Sequence, residues 1–180
     1  MQSLKGKNIK LRALEPTDLD FLYEWENDTS VWMVSGTVSP FSKFVLEQYL
    51  ASSHNDIYVQ KQLRLVIDFH GEEEDSDGLP IGCIDLFEFD PKNKRAGIGI
   101  LIGDSEMRNN GYASEALELL LDYCFKILDL RQVYCNVTTE NEASLRLFKK
   151  FGFEVTGLLQ DWIFDKGKWH DEYTLQLINK

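Results

Sequence analysis

The chain has 180 residues, 43% of them apolar and 27% charged, the balance of a globular protein long enough for one real core. No apolar run approaches the roughly 20 residues that span a bilayer, and the N-terminus holds no apolar signal segment, so the cytoplasm is the expected compartment. The net charge of −11 argues against a nucleic-acid partner and fits a cationic one, although five of the acids lie in one run over residues 71–78, expected to be a solvated turn.

In chain order, residues 8–13 alternate apolar and polar and predict a strand. Pro16 suits the first turn of a helix, with Thr17, Asp18 and Asp20 at its positive end. Leu19, Phe21, Leu22 and Trp25 make that helix's apolar stripe, and Asn27-Asp28 stops it. A second helix is expected over residues 42–52, capped by Ser42. Residues 63–69, 81–89 and 95–102 predict three strands, and their short connections make an antiparallel meander. After Asn110 the period changes. From Glu115 to Leu128 apolar residues recur at steps of three and four, which predicts an amphipathic helix. Residues 132–137 predict a strand, and a strand, crossover helix and strand imply a parallel pair. Asn141 should cap a helix running to Phe151 and ended by Gly152. Residues 153–156, 161–164 and 169–178 read as closing strands. The expected fold is one α/β domain over residues 1–180. Its sheet should be mixed and strongly twisted, mostly antiparallel with a central parallel pair, and flanked by helices.

Cys83, Cys124 and Cys135 sit in apolar runs without metal-ligand spacing and read as buried free thiols; Cys135 has no histidine near it in sequence to make it a nucleophile. His54, His70 and His170 are scattered, so no metal site is expected.

The most informative stretch is Arg108-Asn109-Asn110-Gly111-Tyr112-Ala113-Ser114, between the strand ending at Ile102 and the long helix. Loop amides and a helix N-terminus direct positive charge to one spot, and Gly111 lets backbone approach an anion closely, so the stretch reads either as a phosphate cradle or as plain loop-to-helix punctuation that binds nothing. A rival fingerprint, Gly97-Ile98-Gly99-Ile100-Leu101-Ile102-Gly103, has the wrong glycine spacing for a dinucleotide loop and lies within a strand. Glycines there instead suit a ligand lying against Ile100, Leu101 and Ile102.

The strand, the Arg108-x-x-Gly111-x-Ala113 loop and the run from Asn141 through Ser144 and Phe148 to Phe153 together resemble the GNAT superfamily of acetyl-CoA-dependent N-acetyltransferases. The opening Leu11-Arg12-Ala13-Leu14-Glu15-Pro16-Thr17-Asp18 is similar to the usual first strand and helix. Gly157-Leu158-Leu159-Gln160-Asp161 and Asp165-Lys166-Gly167-Lys168-Trp169-His170-Asp171-Glu172 resemble the closing hairpin of the branch with ribosomal-protein alanine and spermidine acetyltransferases. The resemblance implies that the pyrophosphate of acetyl-CoA sits on the amides of Arg108 to Ser114. It implies a pantetheine running like an added strand along Ile100, Leu101 and Ile102. A main-chain amide there would polarise the thioester, an effect of roughly 3–4 kcal/mol. Asn141, Ser144 and Phe148 would face the cofactor from one helix face. Many members carry Tyr where this chain has Phe148, and that hydroxyl often protonates the leaving thiolate; Ser144, one turn earlier, is the candidate replacement. Dimers are common among members, so a homodimer is kept open.

The implied chemistry is direct attack of a neutral amine on the thioester. At pH 7, deprotonating an alkyl amine costs about 4–5 kcal/mol, and a peptide N-terminus only about 1 kcal/mol. Base candidates are Asp85 and Glu88, with Glu26 and Asp28 at the end of the first helix. The structural reading of Asp85, a hydrogen-bond acceptor or an edge-strand charge, stands ahead of the catalytic one. Glu26, Asp28, Glu88 and Trp32 are the candidates for lining the acceptor site, with Trp25 and Trp162 as further apolar walls. The leading expectation is acetylation of a polyamine-like small molecule or a peptide N-terminus, without a metal. The alternatives are an antibiotic-amine acetyltransferase and, in a different class, a non-catalytic acyl-CoA sensor.

Overall fold

The computed structural model describes residues 4–71 and 78–180, so the turn expected over 71–78 lies, apart from its two glycines, outside the described residues. Its strands are β1 (Ile9–Ala13), β2 (Leu63–Phe69), β3 (Leu79–Asp90), β4 (Arg95–Ile102), β5 (Gln132–Thr138), β6 (Glu154–Asp165) and β7 (Lys168–Ile178). They form one sheet in the order β1-β2-β3-β4-β5-β7-β6. Every neighbouring pair is antiparallel except β4 with β5. The meander and the single parallel pair are those the sequence predicts.

The helices are α1 (Leu19–Glu26), α2 (Trp32–Ser35), α3 (Lys43–Ser52), α4 (Ile57–Gln60), α5 (Tyr112–Asp122) and α6 (Glu142–Lys150). Strand register sorts side chains onto two faces, because directly paired residues point the same way. Leu65, Ile84, Ile98, Val133, Cys135 and Leu175 share one face and pack with Ala116, Leu117, Leu120 and Cys124 of the α5 segment and Phe148 of α6. Arg64, Cys83, Asp85, Phe87, Gly97, Gly99, Leu101, Asn136, Thr138 and Glu172 share the opposite face. There the apolar cover is smaller: Leu14, Leu22 and Leu50 over Val66 and Cys83. One face is therefore a full core, and the other is partly polar.

Three boundaries differ from expectation. The long helix starts at Tyr112, three residues before Glu115, and relaxes into a π turn over Tyr123–Ile127. Ala113 already belongs to the apolar steps of three and four, but Gly111 and the polar Ser114 and Glu115 leave the exact start open to a shift of a few residues. The segments at 153–156 and 161–164 are one edge strand, β6, broken in register between Val155 and Gly157 and between Leu159 and Ile163. Those shifts interrupt the alternation. Helices α2 and α4 have four residues each and are too short to show a period.

β4 carries glycine at 97 for a packing reason. A Cβ there would lie 2.2 Å from the Phe87 ring, whereas one on Gly99 would meet nothing nearer than 3.9 Å. Gly97→Ala should therefore lower stability by about 1–3 kcal/mol in urea unfolding, the usual range for overpacking. Gly99→Ala should unfold within about 0.5 kcal/mol of the parent.

Candidate active site

Strands β4 and β5 pair only at Arg95↔Gln132, Ala96↔Val133 and Gly97↔Tyr134, although β4 continues to Ile102 and β5 to Thr138. On its other edge β4 stays paired with β3 as far as Ile102↔Gly82. The strands thus part after Gly97, and among the described residues no strand lies beside one backbone edge of residues 98–102. The rings of Phe87 and Tyr134 meet edge to face at 5.8 Å where the parting begins. A cavity of about 360 Å³ occupies the opening. It is lined from the core face by Ile98, Ile100, Val137, Asn141, Ser144 and Phe148, and from the other face by Trp25, Glu26, Arg64, Asp85, Thr138 and Glu172. The space passes through the sheet.

On the core face, β4 leads into the Arg108–Ser114 loop. Asn109 (φ 63°) and Gly111 (φ 86°) both adopt left-handed backbone, and a Cβ on Gly111 would meet nothing within 4 Å. The first α5 amide bonded back to the loop is that of Glu115, to the Gly111 carbonyl at 3.1 Å, so the amides of Tyr112, Ala113 and Ser114 precede the helical ladder. Arg108 Nε donates to the Ile102 carbonyl at 2.9 Å, and Asn110 Nδ2 to the Arg108 carbonyl at 3.1 Å. Tyr112 packs on Phe69, ring centres 5.0 Å apart. Lys150 Nζ, from the end of α6, donates to Ser114 Oγ at 2.8 Å and brings a cation to the helix start. Unpaired helix-start amides beside a cation form a geometry suited to an anion, and the loop is continuous with the open edge of β4. Asn141 caps α6 by accepting from the Ser144 amide at 3.1 Å. Phe148 is 3% exposed and stacks edge-to-face on Phe153.

The opposite face carries charge. Arg64 donates to both carboxylate oxygens of Asp85, at 2.8 and 2.9 Å, and to Glu26. Burial works to lower the Arg64 guanidinium, but the Asp85 carboxylate outweighs it and raises it well above the ordinary arginine value. The cluster holds two carboxylates against one guanidinium, a net charge of −1. Cys83 lines the same wall, and burial pushes its thiol up to about 12. Burial also raises Cys124 and Cys135 to about 12, so none of the three is poised as a thiolate.

The cavity thus brings together Ile100, Leu101, Asn141, Ser144, Phe148, Asp85 and Glu26 from the sequence candidates. It does not include Asp28, Trp32 or Glu88. Asp28 accepts from the Ser30 amide in the turn after α1, and Trp32 Nε1 donates to the Glu26 carbonyl. Glu88 is exposed, sits at φ 49° beside the register shift in β3, and accepts from the Tyr134 hydroxyl. β3 lies between β2 and β4, so Asp85 is no edge charge; an arginine directly across the strand pair engages it. Two charged cavity residues escape sequence reasoning. Arg64 was one polar side chain in an apolar strand, and its parity with Asp85 needs the cross-strand register. Glu172 stood in the closing motif with nothing to aim it at a cavity.

The family described as "Acetyltransferase (GNAT) domain" matches residues 8–154. Among individual relatives, the spermidine N(1)-acetyltransferase of Escherichia coli (strain K12) is 32% identical over 164 residues, 91% of this chain and 82% of that protein. A protein of Bacillus subtilis (strain 168) named as an uncharacterized N-acetyltransferase is 34% identical over 175 residues, 97% of this chain and 95% of that one. Among solved structures, the spermidine N-acetyltransferase of Vibrio cholerae in complex with CoA and spermine superposes with a TM-score of 0.84 at 25% identity, over 96% of each chain. The sheet, its parted strands and the match over most of the chain agree: the chain belongs to the GNAT family of acetyl-CoA-dependent N-acetyltransferases.

Proposed function

We propose that the chain, as one domain, transfers the acetyl group of acetyl-CoA directly to a primary amine of a polyamine-like molecule. The carrying observation is the parting of β4 and β5. It joins an anion cradle on one face of the sheet to an acid-lined cavity on the other. In this reading the amides from Arg108 to Ser114 hold the pyrophosphate, and Lys150 adds positive charge beside them. The open edge of residues 98–102 receives the pantetheine as an added strand, and one of its amides polarises the thioester carbonyl. Asn141 and Ser144 approach from α6. The amine enters from the face of Glu26, Arg64 and Asp85, whose net charge of −1 favours a cation. Relatives named as spermidine acetyltransferases support a polyamine acceptor. One of them, solved as a dodecamer, supports self-association of this chain. No helix among the described residues is long and apolar enough to cross a membrane, and the cytoplasm is part of the same reading.

Phe148 has no proton to give, and in this reading the Ser144 hydroxyl, which lines the cavity one turn earlier, protonates the leaving thiolate directly or through water. A thiol pKa near 8.5 already makes the thiolate a fair leaving group, so this contribution is modest. Ser144→Ala should lower kcat by about tenfold, below the usual range for a full general acid. An unchanged kcat and pH profile would show that the thiolate leaves unaided.

CoA release, followed with a thiol reagent, should be fastest with spermidine and spermine in a panel that includes peptide N-termini and an aminoglycoside. Acetyl-CoA binding without turnover on any amine would identify a sensor instead. Gly111→Asp should weaken acetyl-CoA binding by about tenfold or more in calorimetry, since it adds a negative charge and forces a side chain onto left-handed backbone. Unchanged affinity would remove the loop from the site.

A further inference from the structure

Glu172 lies within β7, paired with Thr138 of β5 on one side and Leu159 of β6 on the other. It lines the cavity and is 9% exposed. Among the described residues no hydrogen bond or ion pair engages its carboxylate. That separates it from Glu26 and Asp85, whose carboxylates are already occupied by Arg64. Of the carboxylates lining the cavity, Glu172 is the one with no cation bonded to it among the described residues.

Its position along the strands also fits the chemistry. The last β4–β5 pair is Gly97↔Tyr134. Leu101 lies four residues beyond Gly97, and Thr138 lies four beyond Tyr134, so the two stand level across the opening. Glu172 is the direct partner of Thr138 and shares its face, the one toward α1. It therefore stands at the level of the free β4 edge, on the side from which the amine enters, while Ser144 approaches from the opposite face.

We propose that Glu172 is the catalytic residue that takes the proton from the acceptor amine, an assignment that rests on the amine-acetyltransferase reading above. Its carboxylate receives one proton from the ammonium. The neutral nitrogen then forms the C–N bond as the C–S bond breaks and the electron pair leaves on the CoA sulfur. A second nitrogen proton reaches the thiolate, and Glu172 returns its own proton to solvent. The net change is ammonium plus thioester to amide, thiol and one proton. Burial raises the Glu172 carboxyl above the ordinary value, which makes its anion a stronger base than a solvated glutamate.

The groups around it leave the carboxylate to act. Thr138 and Asn136 on β5 and Leu159 on β6 do not titrate in the working range. Across the cavity stand the Glu26–Arg64–Asp85 cluster and the uncharged Asn141 and Ser144. On β7 itself, His170 Nδ1 is bonded to Glu140 at 2.8 Å, and Asp171 accepts from the Asp161 amide at 2.8 Å.

The test is steady-state kinetics with acetyl-CoA and spermidine from pH 6 to 10, on the parent, Glu172→Gln and Glu172→Asp. Glu172→Gln keeps shape and removes the base. Its kcat should fall by about a hundredfold, and the acid-side limb set by the carboxylate should vanish from the profile. Glu172→Asp should recover part of kcat and keep that limb. Acetyl-CoA affinity, read by calorimetry, should be unchanged in both, which also reports an intact fold. A Glu172→Gln kcat within about threefold of the parent with the same pH profile overturns the assignment. A rise in KM alone does so too, by reducing Glu172 to an electrostatic contact. If the parent itself acetylates no amine, the functional reading falls first, an outcome distinct from loss in the variant only.

Discussion

Two parallel strands that pair over three residues and then separate leave backbone donors and acceptors facing each other across a gap. A folded chain accepts such a gap only where water or a ligand can satisfy those groups. In this protein the gap lies between β4 and β5, and the site is arranged around it. The Arg108–Ser114 loop sits where it does because β4 runs on past the parting to Ile102 before the chain turns into α5. α6 reaches the same opening because β5 ends at Thr138 and the chain turns at once into the Asn141 cap.

The opposite face is governed by charge. A guanidinium desolvated between β2 and β3 is costly unless carboxylates surround it, and Asp85 and Glu26 do so from two different elements. That cluster ties the end of α1 to the sheet and leaves one negative charge in excess. Removing a single partner would strand the others, so the cluster is better suited to shape and polarise the cavity than to exchange protons. The division of labour follows: the paired acids set the field, and an unpaired acid on β7 is available for proton transfer.

A second paired cluster repeats the pattern at the sheet edge. Arg12 binds Asp68 at 2.6 Å and Asp18 at 2.8 and 3.0 Å, joining β1, β2 and the turn before α1. Both aspartates are at most 3% exposed. This pins the start of α1, and α1 carries Trp25 and Glu26 to the cavity wall. Trp25 packs so closely on Gly103 that any Cβ there would clash with the indole. This wall of the cavity is thus fixed at both ends of one short helix.

Local patterns in the sequence determined the strands of the meander, the helix between the parallel strands, the cradle loop with Gly111, and the Asn141 cap. Each is set by period, by a cap or by a turn residue, and such signals survive without the rest of the chain. The residues from Asn141 to Phe148 also disclosed the missing tyrosine. Tertiary structure alone decided what each acid touches. Asp85 looked like a candidate base until the register set Arg64 across from it, and Glu88 and Asp28 went to a strand irregularity and a turn. Glu172 gained its place because pairing on both sides fixed which face it occupies. A carboxylate's role depends on what stands within about 3 Å of it, and for groups on strands far apart in the chain that distance is set only when the sheet assembles.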